Sequence, residues 1–253
     1  MTVFPADIPL RPNERLDDLM KRGRCIIQNT QEFCFSLDAV LLAHFPRWKK
    51  RQSVLDLGTG TGVIPLIIAD EVAHVEGIEL NPVMAELAAR NVALNRLEDR
   101  IHVVEGDYRE IRSYYPPEKF DVAVANPPYR PVLHGQVNRI EGKARARHEF
   151  TATLRDVIRA ARYGLRFRGT FAMVHLPERL GEIIVAMHEH QMEPKRLRMV
   201  QPKREQAPNM MLIEAVVGAA PGGLKVLPPL IVHEEDGSYT KEILEIYGIQ
   251  PTD

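Results

Sequence analysis

Val54-Leu55-Asp56-Leu57-Gly58-Thr59-Gly60-Thr61-Gly62 is the stretch on which the reading of this chain turns. A short apolar strand runs into a turn with glycine at every second position, and the apolar run from Val63 opens a helix. Glycines let the backbone bend sharply and let a ligand approach the helix N-terminus with no Cβ in the way. The dinucleotide fingerprint G-x-G-x-x-G would need its third glycine at position 63, which is Val63. The turn is therefore not read as a dinucleotide site.

Outward from this turn the pattern alternates. Strands are expected over Ser53–Leu57, His74–Leu80, Ile101–Glu105 and Phe120–Ala125, with helices over Gly62–Asp70 and Pro82–Asn95. Beyond a polar loop from Arg130 to Arg147 come helix Thr151–Tyr163, strand Thr170–His175, helix Glu178–His190, and strands Lys195–Val200 and Met210–Val217. Short apolar strands alternating with helices predict an α/β fold, a doubly wound, mostly parallel sheet with an antiparallel last strand. Upstream, Arg11–Lys21 reads as a short amphipathic helix. Cys25–Gln28 and Phe33–Ser36 read as the arms of a hairpin around Asn29-Thr30, and Leu37–Phe45 as a buried helix. The expected division is an N-terminal cap (helix, hairpin, helix) over 1–50, the main sheet over 51–220, and a tail over 221–253 with a final helix Thr240–Tyr247, packed on the same domain.

Glu79 ends the second strand about 20 residues past the first glycine, where such folds place an acid on ribose hydroxyls. Asn126-Pro127-Pro128-Tyr129 follows directly on the fourth strand, at the edge where open parallel sheets bind ligands. The tetrad resembles the Asn-Pro-Pro-Tyr motif of amino methyltransferases, and Asp56 with Gly58, Gly60 and Gly62 resembles motif I of class I methyltransferases. The resemblance implies a Rossmann-like fold and S-adenosylmethionine as cofactor, and it assigns Asp107 to the adenine amino group. An exocyclic amino nitrogen is a poor nucleophile because its lone pair is delocalised. The Asn126 side-chain oxygen and the Pro127 carbonyl can accept its two N–H bonds and aim it at a methyl donor. The prolines hold the backbone extended, and Tyr129 offers a face on which a flipped base can stack.

The match extends further. Phe35-Ser36-Leu37-Asp38-Ala39-Val40-Leu41-Leu42-Ala43, Ala146-Arg147-His148-Glu149, Val174-His175-Leu176-Pro177-Glu178-Arg179, Glu193-Pro194-Lys195-Arg196, Leu227-Pro228-Pro229-Leu230 and Tyr239-Thr240-Lys241-Glu242 resemble bacterial tRNA adenine-37 N6-methyltransferases acting on valine tRNA. Relatives often carry glycine after the aspartate where this chain has Ala39; the resemblance adds Asp38 to the cofactor residues. The implied activity is N6-methylation of adenosine 37 in the valine tRNA anticodon stem-loop. Pro128, Tyr129, Arg139, Lys143, Arg145 and Arg147 are expected against that RNA. Arg155, Arg159, Arg162 and Arg166, spaced for one helix stripe, and Lys195, Arg196, Arg198, Lys203 and Arg204 are further candidate phosphate contacts. The same tetrad also serves glutamine-amide protein methyltransferases, for which residues 1–50 are short and hairpin-like. It serves ribosomal guanine-amino methyltransferases as well, and a DNA enzyme would need a recognition domain for which there is no room. A cofactor-binding scaffold without catalysis is disfavoured by the intact Asn126 and Pro127.

Composition agrees with an ordinary folded domain: 253 residues, 45% hydrophobic, 26% charged, formal net charge -1. Any nucleic-acid contact must then come from a local patch. Two cysteines, Cys25 and Cys34, exclude a disulfide-dense scaffold and a cysteine-rich zinc module. They are expected as small apolar thiols on the hairpin. His134, His148 and His175 do not fall at metal-ligand spacings. No secretory signal is read in Met1–Asp18, and runs such as Val63–Ala69 are too short to span a bilayer. The expectation is a soluble, cytoplasmic, metal-free enzyme with no obligate protein partner.

Overall fold

Period-two alternation along the strands sorts their side chains onto two faces of one sheet. In β3 (Ser53–Leu57) Val54 faces one core, while Leu55 and Leu57 face the other. In β6 (Phe120–Ala125) Val122 and Val124 join the first core, Ala123 and Ala125 the second. The first face is covered by α1 (Leu37–His44), α2 (Val63–Ile68) and α6 (Lys241–Tyr247). The second is covered by α4 (Leu154–Gly164) and α5 (Leu180–Glu189). This is the computed structural model of the chain, and it describes residues 8–19, 23–32, 34–128 and 152–249.

Among the described residues the main sheet has nine strands. Alongside β3 and β6 run β4 (His74–Glu79), β5 (Ile101–Glu105), β7 (Leu165–His175), β8 (Met192–Gln201) and β9 (Met210–Val217). The order is β8-β9-β7-β6-β3-β4-β5, with β3–β7 mutually parallel and β9 antiparallel to both its neighbours. The doubly wound, mostly parallel sheet is as expected. The segment beyond 220 does more than pack: β10 (Lys225–Val226) and β11 (Leu230–Ile231) both pair parallel with the outer edge of β8. Pro228 and Pro229 fall between them, and proline has no N–H to give a ladder, so the edge strand is interrupted there. No described helix is long and apolar enough to cross a membrane.

Two upstream expectations are corrected. Glu14–Asp18, inside the expected helix, is strand β1, antiparallel to β2 (Cys25–Asn29). The hairpin partner of β2 therefore lies before it, and 34–36, the described part of the expected second arm, carry no strand. The reason is tertiary: the Arg90 guanidinium on α3 (Pro82–Leu94) grips the buried Glu14 carboxylate through two nitrogens at 2.6 and 3.0 Å. The extended β1, paired to β2 with Glu14 opposite Asn29, presents Glu14 to that guanidinium. Arg166 is likewise on β7 and not on the α4 stripe.

Candidate active site

The strand register lays one row of residues across the C-terminal edge of the sheet. Ala125 pairs with Leu57, Leu57 with Ile78, and Ile78 with Val104. The next residues in that row are Asn126, Gly58, Glu79 and Glu105. At about 4.8 Å per strand the row spans roughly 14 Å. The chain leaves β3 for β4 on one side while β6 flanks it on the other. That reversal opens the crevice in which doubly wound sheets take their ligands.

The glycine turn is hung on β4. The Gly58 and Thr59 amides both donate to the Ile78 carbonyl, at 2.9 and 3.1 Å. Gly58, Gly60 and Gly62 have φ of +77°, +57° and +82°, a region side chains with a Cβ rarely adopt, so the turn is built for glycine. A Cβ on Gly58 would meet no described residue within 4 Å, so among the described residues the backbone there faces open space. The Thr59 hydroxyl donates to Asp56 Oδ2 at 2.6 Å. A residue the sequence reading missed makes room for it: a Cβ on Gly77 of β4 would lie 2.9 Å from the Thr59 methyl. A glycine in mid-strand was the available signal, since it marks close approach.

Asp56 is wholly buried, and among the described residues its Oδ1 has no hydrogen-bond partner. Burial pushes its carboxyl up to about 7; the Thr59 hydroxyl pulls the other way and the neighbouring Glu79 charge adds to the rise. Glu79 accepts from the Gly60 amide at 2.9 Å and the Asn81 amide at 2.8 Å. Asn81 caps α3 by accepting from the Val83 amide. Glu79 thus ties the glycine turn to the start of α3. Asp107 follows β5 on the same edge and caps the 3-10 turn Tyr108–Ser113. It accepts from the Arg109 amide at 2.8 Å and from the Arg109 guanidinium. Burial works to raise its carboxyl, but the Arg109 hydrogen bonds and charge outweigh that and hold it low. Asp38 sits apart from the row, buried in the first turn of α1, where its Oδ1 accepts from the Ser36 hydroxyl and the Ala39 amide.

Asn126 and Pro127 are half-buried and Pro128 is exposed. Tyr129, Arg139, Lys143, Arg145 and Arg147 lie outside the described residues. Beside the tetrad, His175 ends β7 two residues past Met173, the partner of Ala125, and so stands level with Pro127. It is buried; burial first, and Arg179 second, lower its imidazole to about 4, so it is neutral near pH 7. The Leu176 amide donates to its Nδ1 at 2.7 Å.

The described basic clusters are largely occupied within the chain. Arg155 pairs with Glu189, Arg159 with Asp156, and Arg166 with Asp121. Arg196 pairs with Glu214, and Arg198 forks onto Glu242 at 2.7 and 2.8 Å. Lys195 donates to the Ala220 and Gly222 carbonyls, and Lys203 to that of Glu235.

Known proteins resemble this chain in sequence and in fold. The "Methyltransferase small domain" family model matches residues 37–190. A tRNA1(Val) (adenine(37)-N6)-methyltransferase of Porphyromonas gingivalis is 31% identical over 83% of this chain and 85% of its own length. One from Aliivibrio salmonicida is 26% identical over 83% and 87%. Among solved structures, a predicted O-methyltransferase from Agrobacterium tumefaciens superposes with a TM-score of 0.69 at 24% identity, over 84% of this chain and 96% of that one. The M. jannaschii tRNA m1G37 methyltransferase gives 0.59 at 15% identity, over 82% and 58%. Both structures are alike in fold. The chain belongs to the methyltransferase small-domain family, together with the relatives named tRNA1(Val) (adenine(37)-N6)-methyltransferases.

Proposed function

We propose that this enzyme transfers the methyl group of S-adenosylmethionine to the N6 amino group of adenine 37 in the valine tRNA. The observation that carries the reading is the row that sets Asn126-Pro127 one strand from Gly58 and two from Glu79. The cradle fits the cofactor: among the described residues the Gly58 backbone faces open space, and the neighbouring Asp56 Oδ1 is a buried acceptor without a partner. Gly58, Gly60 and Gly62 would let the cofactor lie against backbone, Glu79 would face its ribose and Asp107 its adenine, with Asp38 and Asp56 toward the methionine end. The bound cofactor supplies an activated methyl on sulfur.

The chain's own part is to orient the acceptor. Asn126 Oδ1 and the Pro127 carbonyl accept the two N–H bonds of the amino group, which directs its lone pair at the methyl. Both oxygens stabilise the positive charge that grows on nitrogen as the bond forms. The methylated nitrogen is at first cationic, ammonium-like and acidic, and it loses a proton readily to give the neutral N6-methyl amine, so no strong base is required. His175, neutral beside Pro127, adds no repelling charge to that nitrogen. Pro128 and Tyr129 would hold the flipped base, and Arg139, Lys143, Arg145 and Arg147 the phosphates of the anticodon stem-loop. A tRNA substrate makes the enzyme cytoplasmic.

The test is methyl transfer to unmodified tRNA transcripts, with adenine 37 kept or replaced. Transfer to valine tRNA that vanishes on replacing adenine 37 is expected. Equal transfer without that adenine overturns the substrate assignment, and transfer to a glutamine-containing protein instead of RNA overturns the substrate class.

A further inference from the structure

We infer that Asn91 of α3 is a positioning residue for the cofactor, locking the glycine turn to the N-terminal hairpin. The inference rests on the reading of that turn as the cofactor cradle. One stripe of α3 lies under the turn. A Cβ on Gly60 would sit 3.9 Å from Met84 Cε, and one on Gly62 would sit 3.5 Å from Ala88 Cβ. Asn91, next on this stripe, donates to the Thr61 carbonyl at 3.0 Å.

The rest of the Asn91 amide faces the hairpin. Its Oδ1 accepts from the Ile27 amide at 2.6 Å, and its Nδ2 donates to the Ile27 carbonyl at 3.0 Å. One turn on, Asn95 repeats the motif with Cys25: Oδ1 accepts from the Cys25 amide at 3.1 Å and Nδ2 donates to the Cys25 carbonyl at 2.7 Å. The repeat has a geometric cause. Four residues of helix rise about 6 Å and two of strand about 6.6 Å, so asparagines at i and i+4 match alternate residues of a strand. The two amides serve the outward backbone groups of β2 as a neighbouring strand would. Asn91 alone of the pair also reaches the glycine turn. It is fully buried, and one acceptor bond and two donor bonds occupy its amide. Docking of the hairpin and placement of Thr61 therefore share one side chain.

Asn95 supplies the control, because Asn95→Ala removes a hairpin brace and leaves the Thr61 bond intact. Both Asn91→Ala and Asn95→Ala should lower the melting temperature of the full-length enzyme. Only Asn91→Ala should weaken S-adenosylmethionine binding by calorimetry, about tenfold, the scale of one buried hydrogen bond. It should raise the KM for cofactor with kcat held within about twofold, since no group that touches the acceptor has changed. In the wild-type enzyme, saturating cofactor should slow hydrogen exchange at the Ile27 amide more than at the Cys25 amide, as reciprocity of coupling requires. This readout stands even if Asn91→Ala does not fold. Equal cofactor affinities for the two variants, or equal protection at Ile27 and Cys25, overturns the inference. Glu79→Ala separates the layers. If it too leaves cofactor affinity unchanged, the cradle reading falls with the inference; if it weakens binding while Asn91→Ala does not, the inference alone falls.

Discussion

The glycine turn and the basic patches on α4, β7 and β8 are built from residues that a sequence marks equally clearly, yet they are wired in opposite ways. Around the turn, a carboxylate bonds to backbone amides: Glu79 accepts from Gly60 and Asn81. Those bonds fix the loop from behind while Gly58, among the described residues, faces open space. On the patches, arginines meet carboxylates: Arg155 with Glu189, Arg166 with Asp121, Arg196 with Glu214, Arg198 with Glu242. Charge in a sequence shows where a cation stands and not whether the fold has already neutralised it. Glycine spacing carries no such ambiguity, because a positive φ is a property of the position itself.

The sharpest way to break this contrast is at the tetrad. Asn126→Ala should cut the methyl-transfer rate at least about 100-fold, the scale of one preorganised transition-state hydrogen bond. Cofactor affinity should stay near wild type, because the turn and Glu79 are untouched. Single-turnover transfer to an anticodon stem-loop reads the first quantity, and calorimetry the second. A wild-type rate would remove Asn126 from the chemistry.

Asp56 offers a second break, through pH. Its carboxyl ionises near 3.8 in an unfolded reference and at about 7 when buried beside Glu79. Between those values the folded state holds a proton that the unfolded state has lost. The Asp56 contribution is therefore fully present below about pH 4, declines as pH rises, and is gone once pH passes about 7. Between pH 6 and 8 this one group should cost the fold roughly 1 kcal/mol. Asp56→Asn keeps an acceptor for the Thr59 hydroxyl and should flatten that part of the stability profile in urea titrations. Identical pH dependence in the two proteins would mean that Asp56 is charged throughout.

How much of this was legible beforehand follows from how local each signal is. β3, the turn and β4 announce themselves within about 30 residues, and β5 and β6 continue the same alternation, whereas their registers are read only from the folded sheet. The hairpin did not announce itself, because Leu16 in β1 and Leu19 just past it stand at helical spacing. Its strand form is imposed by Arg90, Asn91 and Asn95, some 70 residues away. At the site, the sequence pointed to Glu79 and Asp107 as ligand carboxylates and could not show that they also hold Gly60 and Arg109. Gly77 escaped because its need arises across strands, from the Thr59 methyl. His175 escaped because its place beside Pro127 is a matter of β6–β7 register.

The smallest effect expected is at the paired arginines, and it sharpens the comparison most directly. Arg155 and Arg166 are about half exposed, and each already has a carboxylate partner. Exposed pairs contribute about 0–1 kcal/mol, so Arg155→Gln with Arg166→Gln should leave stability within that range. A cation already neutralised in the fold displaces few counterions from RNA. The slope of log affinity for tRNA against log salt should therefore be unchanged in this double variant. In contrast, Arg145→Gln with Arg147→Gln, in the segment following the tetrad, should lower the slope by roughly one unit per lost phosphate contact. Filter binding across a salt series measures both. If the Arg155 and Arg166 variant loses as much slope as the other, those arginines exchange their carboxylates for phosphates when RNA binds. The α4–β7 patch would then belong to the RNA surface, and pairing within the fold would not decide which cations meet a substrate.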